Sequence, residues 1–320
     1  MKNIESILEA IGNTPLLRLR NVPSHIQASV WMKLEFLNPS GSLKDRIALR
    51  MIEDAERQGK LKPGFTILES STGNTGIALS FVGAMKGYKV IIYETTPGEV
   101  GQEKRRIMSG YGAEVHSLPP DELEYLMEKS ISGYEVELPG RVKCLELEQE
   151  NPDYWWARQF ANPSNVAAHN DTGLEILQQI GGRVDAFVAS IGTGGTLVGV
   201  AEVIKEKYPT AKVVGVMPAS SKIKFDFKEP LPATDVHGGI LSEMMQQSGL
   251  VDEVVKIADD EAVAMTHELR RQEGVFAGVS SGANMIVALR EAHKLGPEAN
   301  VVTIFPDSAD RYFSDEHYVT

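Results

Sequence analysis

A lysine placed just after a Gly-Ser break is the first residue of this chain with a chemical use. The run Leu37-Asn-Pro-Ser-Gly-Ser-Leu-Lys44-Asp-Arg46 puts Lys44 at the start of an expected helix. The positive end of the peptide dipole there favours the neutral, nucleophilic amine. Taken alone, Lys44 is indistinguishable from a solvated surface lysine. Two loops change its standing. Ser71-Thr-Gly-Asn-Thr75 combines hydroxyls and an amide suited to a carboxylate or phenolic oxygen with Gly73, which allows close backbone approach. Such a loop also serves as an ordinary helix cap. Gly192-Thr-Gly-Gly-Thr196 follows an apolar strand and precedes an expected helix, so consecutive N–H groups and two hydroxyls can surround a phosphate. It lacks the Gly-Lys-Ser/Thr ending of a nucleotide P-loop and does not complete a dinucleotide fingerprint. A single monophosphate fits better than ATP or NAD.

The elements that must hold these loops follow from periodicity. Short β-branched or apolar runs alternate with longer segments of helical period, the pattern of parallel strands covered by helices on both faces. The class is α/β. Strands are expected at residues 30–35, 66–69, 89–93, 186–190, 212–216 and 301–305. Three of them run into loops of small residues: the two above and Phe305-Pro-Asp-Ser308. Ligands of an open parallel sheet collect at the carboxyl ends of its strands, so the three loops are expected to face one cleft. A chain of 320 residues suggests two lobes. No repeat or low-complexity linker separates them. Residues 117–150 read as irregular, with Pro119-Pro120 and later Ser-Gly and Pro-Gly steps expected to interrupt any helix.

Hydrophobic residues make up 42% and charged residues 24%, the balance of a globular chain with a substantial core. A formal net charge of −12, with no basic stripe, argues against a nucleic-acid partner. The N-terminal Met-Lys-Asn-Ile-Glu-Ser is no signal-peptide core, and no apolar run approaches the roughly 18 residues of a membrane span. A cytoplasmic protein without a membrane partner is expected. Cys144 is the only cysteine, which excludes an internal disulfide and a multi-thiolate zinc site. It reads as a passive buried thiol. The seven histidines show no ligand spacing, so no metal is expected.

In this order the motifs resemble the cysteine synthase (O-acetylserine sulfhydrylase) and cystathionine β-synthase branch of fold-type II pyridoxal-phosphate enzymes. The resemblance begins at Ile11-Gly-Asn-Thr-Pro-Leu16 and passes through Lys44, the Ser71 loop, Gln159-Phe-Ala-Asn-Pro163, the Gly192 loop and Gly278-Val-Ser-Ser-Gly282. It closes at Pro306-Asp-Ser308. It implies a two-lobed fold like that of tryptophan synthase β, each lobe an open, mostly parallel twisted sheet flanked by helices. Residues 46–159 would form a smaller mobile lobe carrying the substrate carboxylate loop. Residues 1–45 and 160–320 would form the larger lobe carrying the phosphate loop.

The resemblance also implies pyridoxal 5′-phosphate as cofactor, joined to Lys44 as an aldimine and held at its phosphate by Gly192, Thr193, Gly194, Gly195 and Thr196. Asn74 would contact the 3′-oxygen of the ring and Ser280 its nitrogen. Ser71, Thr72, Gly73, Thr75 and Gln159 would bind the α-carboxylate of an amino acid. A hydroxyl beside the ring nitrogen leaves it unprotonated, so less charge is drawn into the ring and the β-substituent leaves promptly. Lys44 would then be the general base, and β-replacement would proceed through an aminoacrylate in ping-pong fashion. A homodimer is implied, and with Thr320 as the last residue no regulatory domain is expected to follow.

The implied reaction joins an activated serine, O-acetylserine by default, to sulfide as the sulfur nucleophile. O-phosphoserine would demand more positive charge, for which Lys222 and Lys224 are candidates. Serine with homocysteine, a serine or threonine dehydratase, and an inactive binding protein that keeps the scaffold are the alternatives. The chain departs from the family pattern at Thr96-Pro-Gly-Glu-Val-Gly101, in the acidic residues 121–128, at residues 236–243 around His237, and at Ala309 in place of glycine. Asp307 reads as a structural hydrogen-bond acceptor, and Trp155-Trp156 as packing at the lobe boundary.

Overall fold

A computed structural model describes residues 3–21, 26–95, 101–118, 137–221 and 249–314. Among the described residues ten strands form two sheets: β1 (Leu16–Arg18), β2 (Ser29–Leu34), β3 (Thr66–Ser70), β4 (Lys89–Glu94), β5 (Glu114–Ser117), β6 (Tyr154–Trp156), β7 (Ala186–Ser190), β8 (Lys212–Pro218), β9 (Glu253–Ile257) and β10 (Asn300–Phe305). Among the described residues the helices are α1 (Lys44–Arg57), α2 (Asn74–Lys86), α3 (Gln102–Gly110), α4 (Leu138–Glu150), α5 (Ser164–Gln179), α6 (Gly195–Lys207), α7 (Asp259–Glu273) and α8 (Val279–Leu295). The larger sheet runs β1-β2-β10-β7-β8-β9 and the smaller β5-β4-β3-β6. Every neighbouring pair is parallel except β1 with β2.

Strand alternation sends successive side chains into different cores. From β7, Ala186 and Val188 pack with β2, α7 and α8, whereas Phe187 and Ala189 pack with α5 and α6. In the smaller sheet Ile67 joins a core with α1 and α2, while Leu68 faces Cys144 of α4 and Trp156. Burial on both faces explains why central strands read as continuous apolar runs. Each fully buried Val, Ile or Phe contributes about 1.5–3 kcal/mol of transfer free energy. α1 supplies Ile47, Ala48, Met51, Ile52 and Ala55 from one stripe. Among the described residues no helix is long and apolar enough to cross a membrane, and no cluster of three or more metal-type ligands occurs.

Four short strands, β1, β5, β6 and β9, were not anticipated; each lies at the edge of a sheet. The Pro-Gly step at Pro139-Gly140 opens α4 and does not interrupt it. Proline is tolerated in a first helical turn, where its missing N–H would have no partner. Trp155 and Trp156 are buried in β6, and the Trp156 indole N–H donates to Glu69 at 3.1 Å. Cys144 is fully buried, and burial pushes its thiol well up.

A buried ion network fixes where α1 begins. Arg46 donates from Nε to Glu35 Oε2 at 2.7 Å and from Nη2 to Oε1 at 2.9 Å, while its Nη1 reaches Glu175 Oε1 at 2.7 Å. Lys33 Nζ donates to Glu175 Oε2 and to the Thr14 carbonyl, both at 2.6 Å. The Thr14 hydroxyl donates to Glu35 Oε1 at 2.7 Å, and the Gly12 N–H to Asn38 Oδ1 at 2.8 Å. The Gly-Asn-Thr motif near the N-terminus thus serves this network. Burial opposes the charge on Glu35, but the Arg46 guanidinium overrides it and holds the carboxyl below its ordinary range. Arg46→Met leaves that carboxylate buried without its cation and is expected to lower stability by about 3–5 kcal/mol in urea unfolding. Arg46→Met combined with Glu35→Gln should recover part of the loss.

Candidate active site

Lys44 is the first residue of α1. Its loop pairs with the end of β10, because the Leu43 N–H donates to the Pro306 carbonyl at 2.8 Å and Ser42 bridges Asp307. The Gly278 N–H donates to the Asp307 carbonyl at 2.9 Å, and Ala277 bridges Ser308. The turns carrying Lys44, Ser280 and Asp307 are therefore stitched together by backbone. Burial lowers the Lys44 amine to about 8, against the opposing charges of Asp307 and Glu137. Ser280 occupies the first turn of α8, and the hydroxyl of its neighbour Ser281 is buried with no partner among the described residues.

The Ser71 loop ends β3 and opens α2. Ser71 Oγ accepts the N–H of Gly73 at 3.2 Å and of Gly76 at 3.1 Å, so this hydroxyl does cap the loop. Thr75 Oγ1 donates to Gln159 Oε1 at 2.6 Å. Asn74 Nδ2 donates to Asp307 Oδ2 at 2.6 Å, where the Tyr312 hydroxyl also donates at 2.7 Å, and Asn74 Oδ1 accepts from Arg311 Nη1 at 2.7 Å. Asp307 is thus the acceptor the sequence suggested.

The Gly192 loop lies at the N-terminus of α6, with Gly194 at φ +87 as its cap. Asn165 connects it to the other loop: its Nδ2 donates to Thr193 Oγ1 at 3.0 Å and to the Gln159 carbonyl at 2.9 Å. A Cβ on Gly195 would fall 2.0 Å from Asn165 Oδ1. Thr196 Oγ1 lies 3.1 Å from His169 Nε2, and the other ring nitrogen lies 3.2 Å from Thr172 Oγ1. Burial, reinforced by the charges of Lys44 and Arg46, holds that imidazole neutral. A hydrogen-bonded path from Thr75 to the Gln159 side chain, and from the Gln159 carbonyl through Asn165 to Thr193, therefore couples the two loops.

These residues fit a pyridoxal phosphate. A lysine amine poised near neutrality stands among three loops, and a helix N-terminus with small residues can receive a phosphate. Buried acceptors remain unpaired in the surrounding walls: Asp307 Oδ1, Asn284 Oδ1 and Asn165 Oδ1 have no partner among the described residues. Asn165, His169, Arg311 and Glu137 escaped sequence reasoning; nothing in their local pattern marks them, since their partners are remote in the chain. Residues 96–100 and 236–243, with His237, Lys222 and Lys224, lie outside the described residues. Gly101 caps α3 at φ +82, a conformation that suits glycine better than the serine of the family pattern.

Residues 7–307 match the family described as pyridoxal-phosphate dependent enzyme. The chain belongs to that family. Cysteine synthase of Staphylococcus aureus (strain Mu50 / ATCC 700699) is 40% identical over 321 residues, covering 99% of this chain and 98% of the relative. Among solved structures, cysteine synthase (OASS) from Entamoeba histolytica superposes with a TM-score of 0.83 at 34% identity, covering 100% of this chain and 92% of that one. O-ureido-L-serine synthase gives a TM-score of 0.83 at 33% identity, with 99% and 96% covered. This pyridoxal-phosphate dependent enzyme therefore has the α/β architecture of the cysteine synthases, as the motif order implied.

Two outcomes test the site. Gly195→Ala must displace Asn165, and is expected to weaken retention of pyridoxal phosphate by about tenfold or more in absorbance titration of the apoprotein. The Lys44 amine attacks only when deprotonated, so the rate at which apoprotein captures the cofactor should rise with pH through a midpoint near 8.

Proposed function

We propose that this enzyme is a cysteine synthase: it replaces the β-substituent of an activated serine, O-acetylserine by default, with sulfide. The observation that carries this reading is the Lys44 amine at a helix N-terminus, on a loop whose backbone is bonded to the Pro306-Asp307 turn that also holds Asn74 of the Ser71 loop. Asp307, Glu137 and the His169 that partners Thr196 all feel its charge.

In this reading Gly192, Thr193, Gly194, Gly195 and Thr196 would hold the cofactor phosphate. Asn74, its amide oriented by Arg311, would serve the 3′-oxygen and Ser280 the ring nitrogen. When bound, the cofactor would supply a conjugated sink for the electron pair left as a proton departs from the substrate Cα; that pair then forms the Cα–Cβ double bond while the β-substituent leaves with the pair of its own bond to Cβ. The chain's own residues do the rest. The Ser71–Thr75 loop and Gln159 seat the α-carboxylate, with the Thr72 N–H and the Gln159 side-chain amide as donors. Lys44 Nζ anchors the cofactor, takes the Cα proton, and returns a proton to Cα once sulfide has added at Cβ. Acetate and cysteine are the products.

The protein acts in the cytoplasm as a homodimer, with residues 46–159 as the moving lobe and residues 1–45 and 160–320 as the fixed one. The net charge of −12 and the absence of a basic stripe support a partner set limited to small molecules.

Lys44→Ala is expected to abolish the borohydride-reducible bond to pyridoxal phosphate and to lower turnover on the order of a thousandfold or more. Purified protein given O-acetylserine, O-phosphoserine or serine, each with sulfide, should release cysteine fastest from O-acetylserine. Absence of cysteine from every donor overturns the assignment.

A further inference from the structure

Glu137 brings a carboxylate to the donors assigned above to the substrate. Its Oε1 accepts the Thr72 N–H at 2.8 Å, and its Oε2 accepts Gln159 Nε2 at 3.3 Å. Its backbone is held in place too, because the Ser70 hydroxyl donates to the Glu137 carbonyl at 3.1 Å. The residue sits immediately before α4 at φ +61 and ψ 23, a left-handed conformation that costs energy for a side chain with a Cβ. Thr72, Gln159 and Ser70 together offset that cost. Burial, with Glu69 adding to it, pushes the Glu137 carboxyl up to about 8 against the Thr72 N–H, Arg141 and Lys44, so the group is a carboxylate above that pH and largely the neutral acid below it.

A glutamate carboxyl group and the α-carboxylate of an amino acid have the same shape and acceptor oxygens, and above about pH 8 the same charge. Two of them cannot share one N–H and one amide without repulsion and an unpaired oxygen. We propose that the Glu137 carboxylate is a built-in competitor for the substrate's α-carboxylate: it fills that seat in the resting enzyme, and an amino acid binds by displacing it. The proposal rests on the assignment of Thr72 and Gln159 to the substrate carboxylate. It makes Glu137 a specificity-determining residue. A bare carboxylate, such as the acetate released by the reaction, gains no more from the seat than Glu137 does and is kept out. An amino acid also engages the cofactor through its amine and so wins the exchange.

The test is equilibrium binding of L-alanine, which has no β-leaving group, to holoenzyme, followed by calorimetry and by the cofactor absorbance. Acetate serves as competitor. Glu137→Gln keeps the shape and removes the charge, whereas Glu137→Ala empties the seat. Removal of a charge-assisted internal contact should tighten L-alanine by about tenfold in Glu137→Ala, with acetate now competing measurably. Glu137→Gln should shift both affinities in the same direction. Folding of each variant is read from its thermal transition, and the glutamine variant alone suffices if the alanine variant does not fold. Unchanged or weaker L-alanine binding in a folded variant, with acetate still excluded, overturns the proposal. If unmodified holoenzyme binds no L-alanine, the substrate assignment itself is wrong and the proposal falls with it.

Discussion

The bidentate contact between Arg46 and Glu35 is the constraint on which the rest of the site depends. Glu35 directly follows β2 of the larger sheet, and Arg46 is in the first turn of α1, which packs into the core of the smaller sheet. Both ions are buried, and Glu175 with Lys33 completes the balance. A buried charge cluster tolerates little displacement, since each ion loses its hydration and must keep its charged partners, with Thr14, Asn38 and Gln179 completing the set. The start of α1 is thereby fixed, and with it the position of Lys44 two residues earlier. Lys44 itself needs no strong tether of its own. Its amine can be left unbonded because its backbone is held from the other side of the helix turn.

A second set of contacts makes the two sheets act as one site. Gln159 touches both halves: its backbone N–H donates to Glu69 of β3, its side chain meets Thr75, and its carbonyl accepts from Asn165, which holds Thr193. A change at the Gly192 loop therefore reaches the Ser71 loop through Asn165, the Gln159 backbone and the Gln159 side chain. Small residues dominate both loops because backbone, not side chain, does the binding at such places.

Much of this was legible in the sequence. The six anticipated strands agree with β2, β3, β4, β7, β8 and β10 to within two residues at either end, because central parallel strands are apolar on both faces. The motif loops were legible for a related reason: a turn that must present N–H groups can use few residue types, so composition reveals it. The edge strands were not, since β1 and β6 are three residues long and carry no periodicity. Nor was the role of Pro139-Gly140, which depends on where a helix begins. His169 and Asn165 look like any polar residues on a helix, and only the tertiary fold sets them against Thr196 and Thr193.

The order of strands in the larger sheet also dictates the order in which the molecule can be assembled. β10 lies between β2 and β7, so Ser29 waits for Asn300 as its partner. The smaller sheet draws all its strands from one continuous stretch, β3 to β6, and can close while the ribosome is still at work. The lysine loop, by contrast, adds to its Arg46 anchor the backbone contacts with Pro306 and Asp307, which arrive only with that late strand. A nascent chain therefore completes the strands behind its Ser71 loop well before the turn that backs Lys44 exists.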